Sequence, residues 1–246
     1  MIVQDSMQTA LVTVEPDDTV SHAVHLLRQY HFHHLPVVQN IYPSHAQSKW
    51  YDVRESIHIF KGLLTSHDID TAVLLAQREA EDHPGTLPWQ EQRIADIMQP
   101  APVYVTPTTS LAVAAQLLVE RGLNCLPVIE PNRDDTETQD ILVGLITRSD
   151  ILIAFARILG ASEPGVEVTL HLPQGHMAPL AKALIAADIL HIPVCSIVLS
   201  SADQQPGYHA SLRLRTINPA PFLFRLRAEG IAYDDANLLL KGEAHV

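Results

Sequence analysis

The chain has little cysteine, few aromatic side chains and a shortage of cations. Cys125 and Cys195 are its two cysteines and lie far apart. This excludes a disulfide framework and fits a reducing compartment. Both thiols are expected as small buried apolar residues rather than nucleophiles. Lys and Arg number 16 against 28 Asp and Glu, a formal net charge of −12. A phosphate-backbone binder needs a basic face, so nucleic acid is not an expected partner. No apolar run approaches the ~18 residues of a membrane span, and Met1-Ile2-Val3-Gln4-Asp5 lacks the basic and apolar parts of a signal peptide. The expectation is a soluble, cytoplasmic protein without a membrane partner. There is no Walker A loop, Gly-x-Gly-x-x-Gly turn or nucleophile motif, and no carboxylate pair with a defined acid–base arrangement. No catalytic residue is therefore expected. What is abundant is apolar: 47% of the 246 residues are hydrophobic and 18% charged. That composition packs a core and suits one large or two small domains.

The chain repeats itself. Residues 3–38 align without a gap on residues 94–129 at an offset of 91, with 13 of 36 positions identical; unrelated segments would share roughly two. Asp5-Ser6-Met7-Gln8 matches Asp96-Ile97-Met98-Gln99, Val14-Glu15-Pro16 matches Val105-Thr106-Pro107, and Leu35-Pro36-Val37 matches Leu126-Pro127-Val128. The alignment resumes at an offset of 82, where Gly62 meets Gly144. Each unit reads as a short strand (Val12–Val14; Val103–Val105), a proline turn and an amphipathic helix. Leu-Pro-Val then starts a strand, and a last strand leads into a closing helix. The first helices are expected to bury Val20, Ala23, Val24 and Leu27, and Leu111, Ala114, Ala115 and Leu118. The closing helices are expected to bury Ile69, Ala72, Val73 and Ala76, and Ile151, Leu152, Phe155 and Ile158. About 60 residues bury too little to be stable alone, so the two units should pack as one body.

The turn before each closing helix carries the chemistry: Gly62-Leu63-Leu64-Thr65-Ser66-His67-Asp68 and Gly144-Leu145-Ile146-Thr147-Arg148-Ser149-Asp150. A strand ends at a threonine hydroxyl, and a helix opens with free N–H groups that attract phosphate. The aspartate can accept hydrogen bonds from two ribose hydroxyls. A plainer alternative makes Thr65 and Thr147 N-caps and Asp68 and Asp150 their capping-box partners.

The doubled Asp-x-Met, Leu-Pro-Val and Gly-x-x-Thr-x-x-Asp motifs resemble a pair of CBS domains, the tandem Bateman module, over roughly residues 1–160. The resemblance implies two units, 1–80 and 94–160, joined by a linker at 81–93 and packed as a pseudo-two-fold module. It implies two clefts that bind adenosine-containing ligands such as AMP, ADP, ATP, S-adenosylmethionine or dinucleotides, with no cofactor required. Thr65 and Asp68 would hold the ribose in one cleft, Thr147 and Asp150 in the other. The backbone at Ala10–Val12 and Ala101–Val103 would face adenine. His33 and His34, and Asn124 and Cys125, would line the clefts ahead of Pro36 and Pro127. Arg148, with Ser149 beside it, is the natural phosphate partner, a fixed cation at a helix N-terminus. Ser66-His67 stands in its place in the first copy, so the two clefts are expected to differ.

Several stretches stay outside that scheme. Residues 39–56, with Tyr42, Pro43, Trp50, Tyr51 and Arg54, read as a lid or as a surface insertion. Asp134-Asp135-Thr136-Glu137 reads as a solvated acidic turn, and Pro84, Gly85, Pro88 and Trp89 belong to the linker. Of the 14 histidines, His22, His25, His31, His33 and His34 cluster, but without a Cys or carboxylate pair at metal spacing. No metal site is expected.

The last third changes pattern. Val166–Leu172 alternates as a half-buried strand, and Pro173-Gln174-Gly175 turns into a helix through Leu180, Ala183, Leu184 and Ala187. Strands follow at Ile192–Ser200 and Tyr208–Arg215, then a helix opened by Asn218-Pro219 with Phe222, Leu223 and Leu226, and a strand at Ile231–Tyr233. This β-α-β-β-α-β order at 165–237 is a ferredoxin-like plait, followed by a tail at 238–246. The fold class is mixed α/β and α+β. The plait resembles an ACT domain, which implies pairing between copies or an amino acid bound near Leu172–Met177. The whole arrangement resembles the acetoin-utilisation protein B-like group of stand-alone regulators. It implies a homodimeric adenine-nucleotide sensor that acts on a regulated partner protein. The alternatives are a ligand-free dimerisation or adaptor protein, and an enzyme with an unrecognised site.

Overall fold

A computed structural model describes residues 1–41, 57–82, 89–100, 103–133, 138–173, 176–201 and 207–235. The readings made at Tyr42, Pro43, Trp50, Tyr51, Arg54, Pro84, Gly85, Pro88, Ala101, Asp134 to Glu137, Gly175 and the tail lie outside the described residues. The chain separates into two compact units, Met1–Ile151 and Leu152–Val246. Among the described residues no helix is long and apolar enough to cross a membrane.

Residues 1–158 show the repeat in space. α1 (Val20–Tyr30), β1 (His34–Ile41), β2 (Ile57–Thr65) and α2 (Ser66–Asp82) form the first copy. α3 (Leu111–Glu120), β3 (Cys125–Arg133), β4 (Thr138–Thr147) and α4 (Arg148–Ile158) form the second. The caps repeat as well: Thr19 Oγ1 accepts from the N–H of His22 at 3.3 Å and Ser110 Oγ from Val113 at 3.2 Å. Past the helices, His31 (φ 55°) and Gly122 (φ 64°) occupy equivalent left-handed positions. Such a position suits glycine and is uncommon for histidine.

The strands form one antiparallel sheet in the order β1-β2-β4-β3. The order reads the same from either edge, and β2 meets β4 at Ile59 and Ile141. The bulges fall at equivalent places, Val37/Val38 and Val128/Ile129. Val14 and Val105, expected within strands, make one parallel bridge each, to Val37 and Val128. Val14 N donates to Pro36 O and Val105 N to Pro127 O, at 3.1 and 3.0 Å. A proline has no N–H to extend such a ladder, which is why neither becomes a strand.

Each copy's lead-in crosses to the other copy. Val3 N donates to Thr109 O (2.8 Å) and Gln4 N to Pro107 O (3.0 Å); reciprocally Ile94 N donates to Asp18 O and Ala95 N to Pro16 O, both at 2.9 Å. Further along, Gln8 pairs with Leu145 and Gln99 with Leu63. One core accordingly holds Val14, Val20, Leu27, Leu35, Leu64 and Ile69 of the first copy together with Ile94 of the second lead-in.

The helix faces hold with one correction. Val20, Ala23, Leu27, Ile69, Ala72 and Ala76 are buried, as are Leu111, Ala114 and Leu118; Val24, Val73 and Ala115 are half-buried. In α4, Ile151 and Ala154 are buried, whereas Leu152, Phe155 and Ile158 are exposed. Successive helical residues are rotated by about 100°, so residues 152, 155 and 158 form a second stripe beside the packed one.

The second unit is a β-α-β-β-α-β plait: β5 (Val166–Pro173), α5 (Ala178–Ile189), β6 (Val194–Ser201), β7 (Gly207–Leu214), α6 (Ala220–Ala228) and β8 (Tyr233–Asp235). Its antiparallel sheet has the order β6-β7-β5-β8. The alternation expected at 166–172 buries Val166, Val168, Leu170 and Leu172 against Ala183, Ala187, Phe222 and Leu226. The last strand begins two residues later than the apolar run Ile231–Tyr233 suggests, because Ile231 ends the core and pairing with β5 starts at Tyr233. Asn218 Oδ1 accepts from Ala220 N at 3.1 Å and opens α6. Arg213 closes the loop after α4, donating from Nε to Gly160 O (2.7 Å) and from an Nη to Glu163 O (2.9 Å). Cys195 is half-buried beside Glu163, not fully buried as expected.

Candidate functional site

The Gly-x-x-Thr-x-x-Asp turns are built to let the crossing lead-ins pass. A β-carbon on Gly62 would stand 2.5 Å from Gln99 O, and one on Gly144 would stand 2.6 Å from the Met7 sulfur. No L side chain fits there without displacement. The threonine and aspartate form reciprocal capping boxes. Asp68 Oδ2 accepts from the N–H and hydroxyl of Thr65 at 2.8 and 2.6 Å, and Asp68 N donates to Thr65 Oγ1 at 3.2 Å. Asp150 and Thr147 repeat this at 2.8, 2.7 and 3.2 Å. The plainer alternative from the sequence is thus realised in both copies.

Two clefts flank these turns, and each draws on both copies. The first, of about 420 Å³, is lined by Ala10, Val12, His31 to His34 and Pro36 from the first copy, and by Asn124, Thr147, Arg148 and Ser149 from the second. The second, of about 500 Å³, joins Val103, Asn124 and Cys125 with Thr65, Ser66 and His67, again beside His33 and His34. His33, His34 and Asn124 form a wall common to both. Of the residues expected from the sequence, Pro127, Asp68 and Asp150 line neither cleft, and Ala101 lies outside the described residues.

Each cleft offers hydrogen-bond donors. At the helix starts, Ser66 N donates to His33 O and Arg148 N to Asn124 O, both at 3.0 Å. The N–H groups of Asp68 and Asp150 go to the threonines. The intervening N–H groups of His67 and Ser149 have no partner among the described residues. A helix N-terminus with such donors attracts anions. Arg148 reaches the first cleft, but its guanidinium donates to Leu118 O at 3.3 Å, at the end of α3. Burial, and then His33, lower the His34 pKa, with Asp68 opposing them, so the site favours the neutral imidazole. Burial pushes the Cys125 thiol up to about 12. It is an inert wall residue there, because reactivity needs the thiolate. Among the described residues no three His, Cys, Asp or Glu side chains are grouped to hold a metal ion.

Sequence reasoning missed Gln8 and Gln99. Their amides donate to the free oxygens of the two aspartates, Gln8 Nε2 to Asp150 Oδ1 at 3.0 Å and Gln99 Nε2 to Asp68 Oδ1 at 3.1 Å. The signal was their identity in the repeat. A polar cluster on the second sheet was also missed: His171 Nε2 lies 2.9 Å from Asp234 Oδ2, with His209 edge-on to His171 at 4.9 Å.

Comparison with known proteins bears on the first unit. The sequence model of the CBS domain matches residues 3–42 and 94–157. The CBS domain-containing protein YhcV of Bacillus subtilis is 25% identical over 151 residues, 61% of this chain and 83% of that protein. Among solved structures, a proposed acetoin utilization protein (AcuB) of Vibrio cholerae is 24% identical over 67% of this chain and 98% of its own, with a TM-score of 0.45. CBSX2, a CBS-pair protein of Arabidopsis thaliana solved in complex with AMP, is 24% identical over 64% and 97%, with a TM-score of 0.44. The CBS-domain model thus matches twice within the first two thirds of the chain. The first match stops at residue 42, before β2 and α2. Those elements nevertheless repeat the capping-box distances of Thr147 and Asp150 at Thr65 and Asp68.

Proposed function

We propose that this chain is a regulatory protein that binds an adenosine-containing ligand, such as AMP, ADP, ATP or S-adenosylmethionine, in the clefts of its CBS pair. The observation that carries the reading is the composition of each cleft. A threonine at a helix start and a helical N–H without a partner among the described residues, both from one copy, face residues of the other: Ala10, Val12 and Pro36 in the first cleft, Val103, Asn124 and Cys125 in the second. A ligand spanning such a cleft favours one arrangement of the two copies, and shifts it by no more than its differential affinity. The first cleft, with Arg148 and Ser149, suits a charged nucleotide better than the second, with Ser66 and His67. The C-terminal plait is ACT-like in this reading. It pairs two chains into a homodimer and passes the change to a partner protein. No catalytic step is assigned to the chain.

The test is calorimetry and thermal shift with AMP, ADP, ATP, NAD and S-adenosylmethionine on the wild type, Asp68→Ala and Asp150→Ala. Stabilisation of the wild type by at least one of these is expected, with loss in one or both variants. If none stabilises the wild type, the reading fails. A ligand-free adaptor is the second reading. It is favoured by one observation, that both aspartates are already engaged by threonine and glutamine.

A further inference from the structure

Each of the two aspartates is engaged by a glutamine amide. Gln8 lines the first cleft and Gln99 the second, whereas Asp150 and Asp68 line neither. Each Oδ2 already accepts from a threonine N–H and hydroxyl, and each Oδ1 accepts from a glutamine amide; the Gln99 amide also lies 3.5 Å from Asp68 Oδ2. A carboxylate oxygen accepts about two hydrogen bonds. Oδ2 is therefore full, and Oδ1 has one acceptor position left. A vicinal diol presents two adjacent O–H donors and needs two positions, so it cannot engage the aspartate fully until the amide leaves. The glutamine backbones are held fast: Gln8 N and O pair with Leu145 at 2.8 and 3.0 Å, and Gln99 N and O with Leu63 at 2.9 and 3.0 Å. Only the side chain is free to move, and both amide contacts are solvent-exposed.

We propose that Gln8 and Gln99 are latches on the ribose-binding carboxylates, displaced by a ligand diol and tying the two copies together in its absence. This rests on the nucleotide reading above. Gln8 belongs to the first lead-in and Asp150 to the second closing helix; Gln99 and Asp68 have the reverse relation. Opening a latch thus removes a tie between the copies, which links occupancy of a cleft to their arrangement. The latch also makes binding of a diol weaker than the bare carboxylate would allow, whereas a ligand without a diol leaves the latch shut.

The experiment is calorimetry of AMP and 2′-deoxy-AMP with the full chain as wild type, Gln8→Met and Gln99→Met. Methionine keeps the length of the side chain and removes the donor. A roughly threefold to tenfold tightening of AMP is expected, about the net worth of one ordinary intramolecular hydrogen bond, with 2′-deoxy-AMP unchanged. Tightening confined to AMP in either variant supports the latch at that cleft, and the second variant serves if the first does not fold. If the wild type binds AMP and neither variant tightens it, or both nucleotides tighten equally, the latch is wrong and the nucleotide reading stands. If wild type and variants bind neither nucleotide, both fail.

Discussion

Gly62 lies against the backbone of Gln99: a β-carbon there would stand 2.5 Å from the Gln99 carbonyl oxygen. That oxygen accepts from Leu63 N at 3.0 Å, so it cannot move without breaking the crossing pair. At Gly144 the nearest obstacle is the Met7 sulfur at 2.6 Å, the end of a flexible side chain, with Gln8 O farther away at 3.1 Å. Gly62→Ala is expected to cost about 2–3 kcal/mol, the upper range for forced overpacking, and Gly144→Ala about 1 kcal/mol. Urea unfolding of the two variants checks the order; equal costs would contradict the rigid contact at Gly62.

Cys125 is buried and its thiol is pushed up to about 12 by burial, from an ordinary 9.0. The folded chain therefore prefers the protonated thiol. The resulting stability is fully present below pH 9 and is lost as the pH rises from there towards 12, by at most about 1.4 kcal/mol per pH unit. Cys125→Ala lacks this titration. The difference in unfolding free energy between wild type and variant should narrow as pH rises above 9. In native protein near pH 8, a thiol reagent should modify half-buried Cys195 first, and Cys125 only on unfolding.

His34 titrates in the opposite sense. Burial and His33 lower its pKa from 6.5, against the pull of Asp68. The folded chain prefers the neutral ring, so the associated stability is present above pH 6.5 and is lost as pH falls through the lowered value. His34→Gln removes the titration. Its stability profile should be flatter below pH 6.5 than that of the wild type, measured by thermal unfolding from pH 7 to 5. A parallel pair of profiles would show that the ring is not held neutral.

The repeat was legible because the residues that build it pack or turn the chain. Val14, Pro16, Ala23, Leu35, Pro36 and Val37 recur at one offset, and each constrains the backbone or the core. The crossing of the lead-ins was not legible. Pairing of Val3 with Thr109, or Ile94 with Asp18, is decided by tertiary geometry that no local pattern encodes. The glutamines were visible as identities but carry no periodicity, being exposed polar residues at isolated bridges. In α4 the apolar run 151–158 offered two stripes, and the sequence does not say which one packs. The Thr–Asp pair fits both a cap and a ligand site, and local spacing cannot separate the two because the same oxygens serve either role.

Arg148 carries the asymmetry between the clefts. Its guanidinium donates to Leu118 O at 3.3 Å, and the equivalent position in the other cleft is Ser66, with no charge. A phosphate bound in the first cleft would compete for this guanidinium, because a charged pair outweighs a bond to one carbonyl. Arg148→Gln is expected to weaken AMP binding about tenfold at the first cleft while leaving adenosine binding within twofold. The salt dependence of AMP binding should fall in the same variant, since the lost interaction is charge with charge. Calorimetry of AMP and adenosine at low and moderate salt decides it. Equal losses for the two ligands would mean that Arg148 acts through α3 rather than on phosphate.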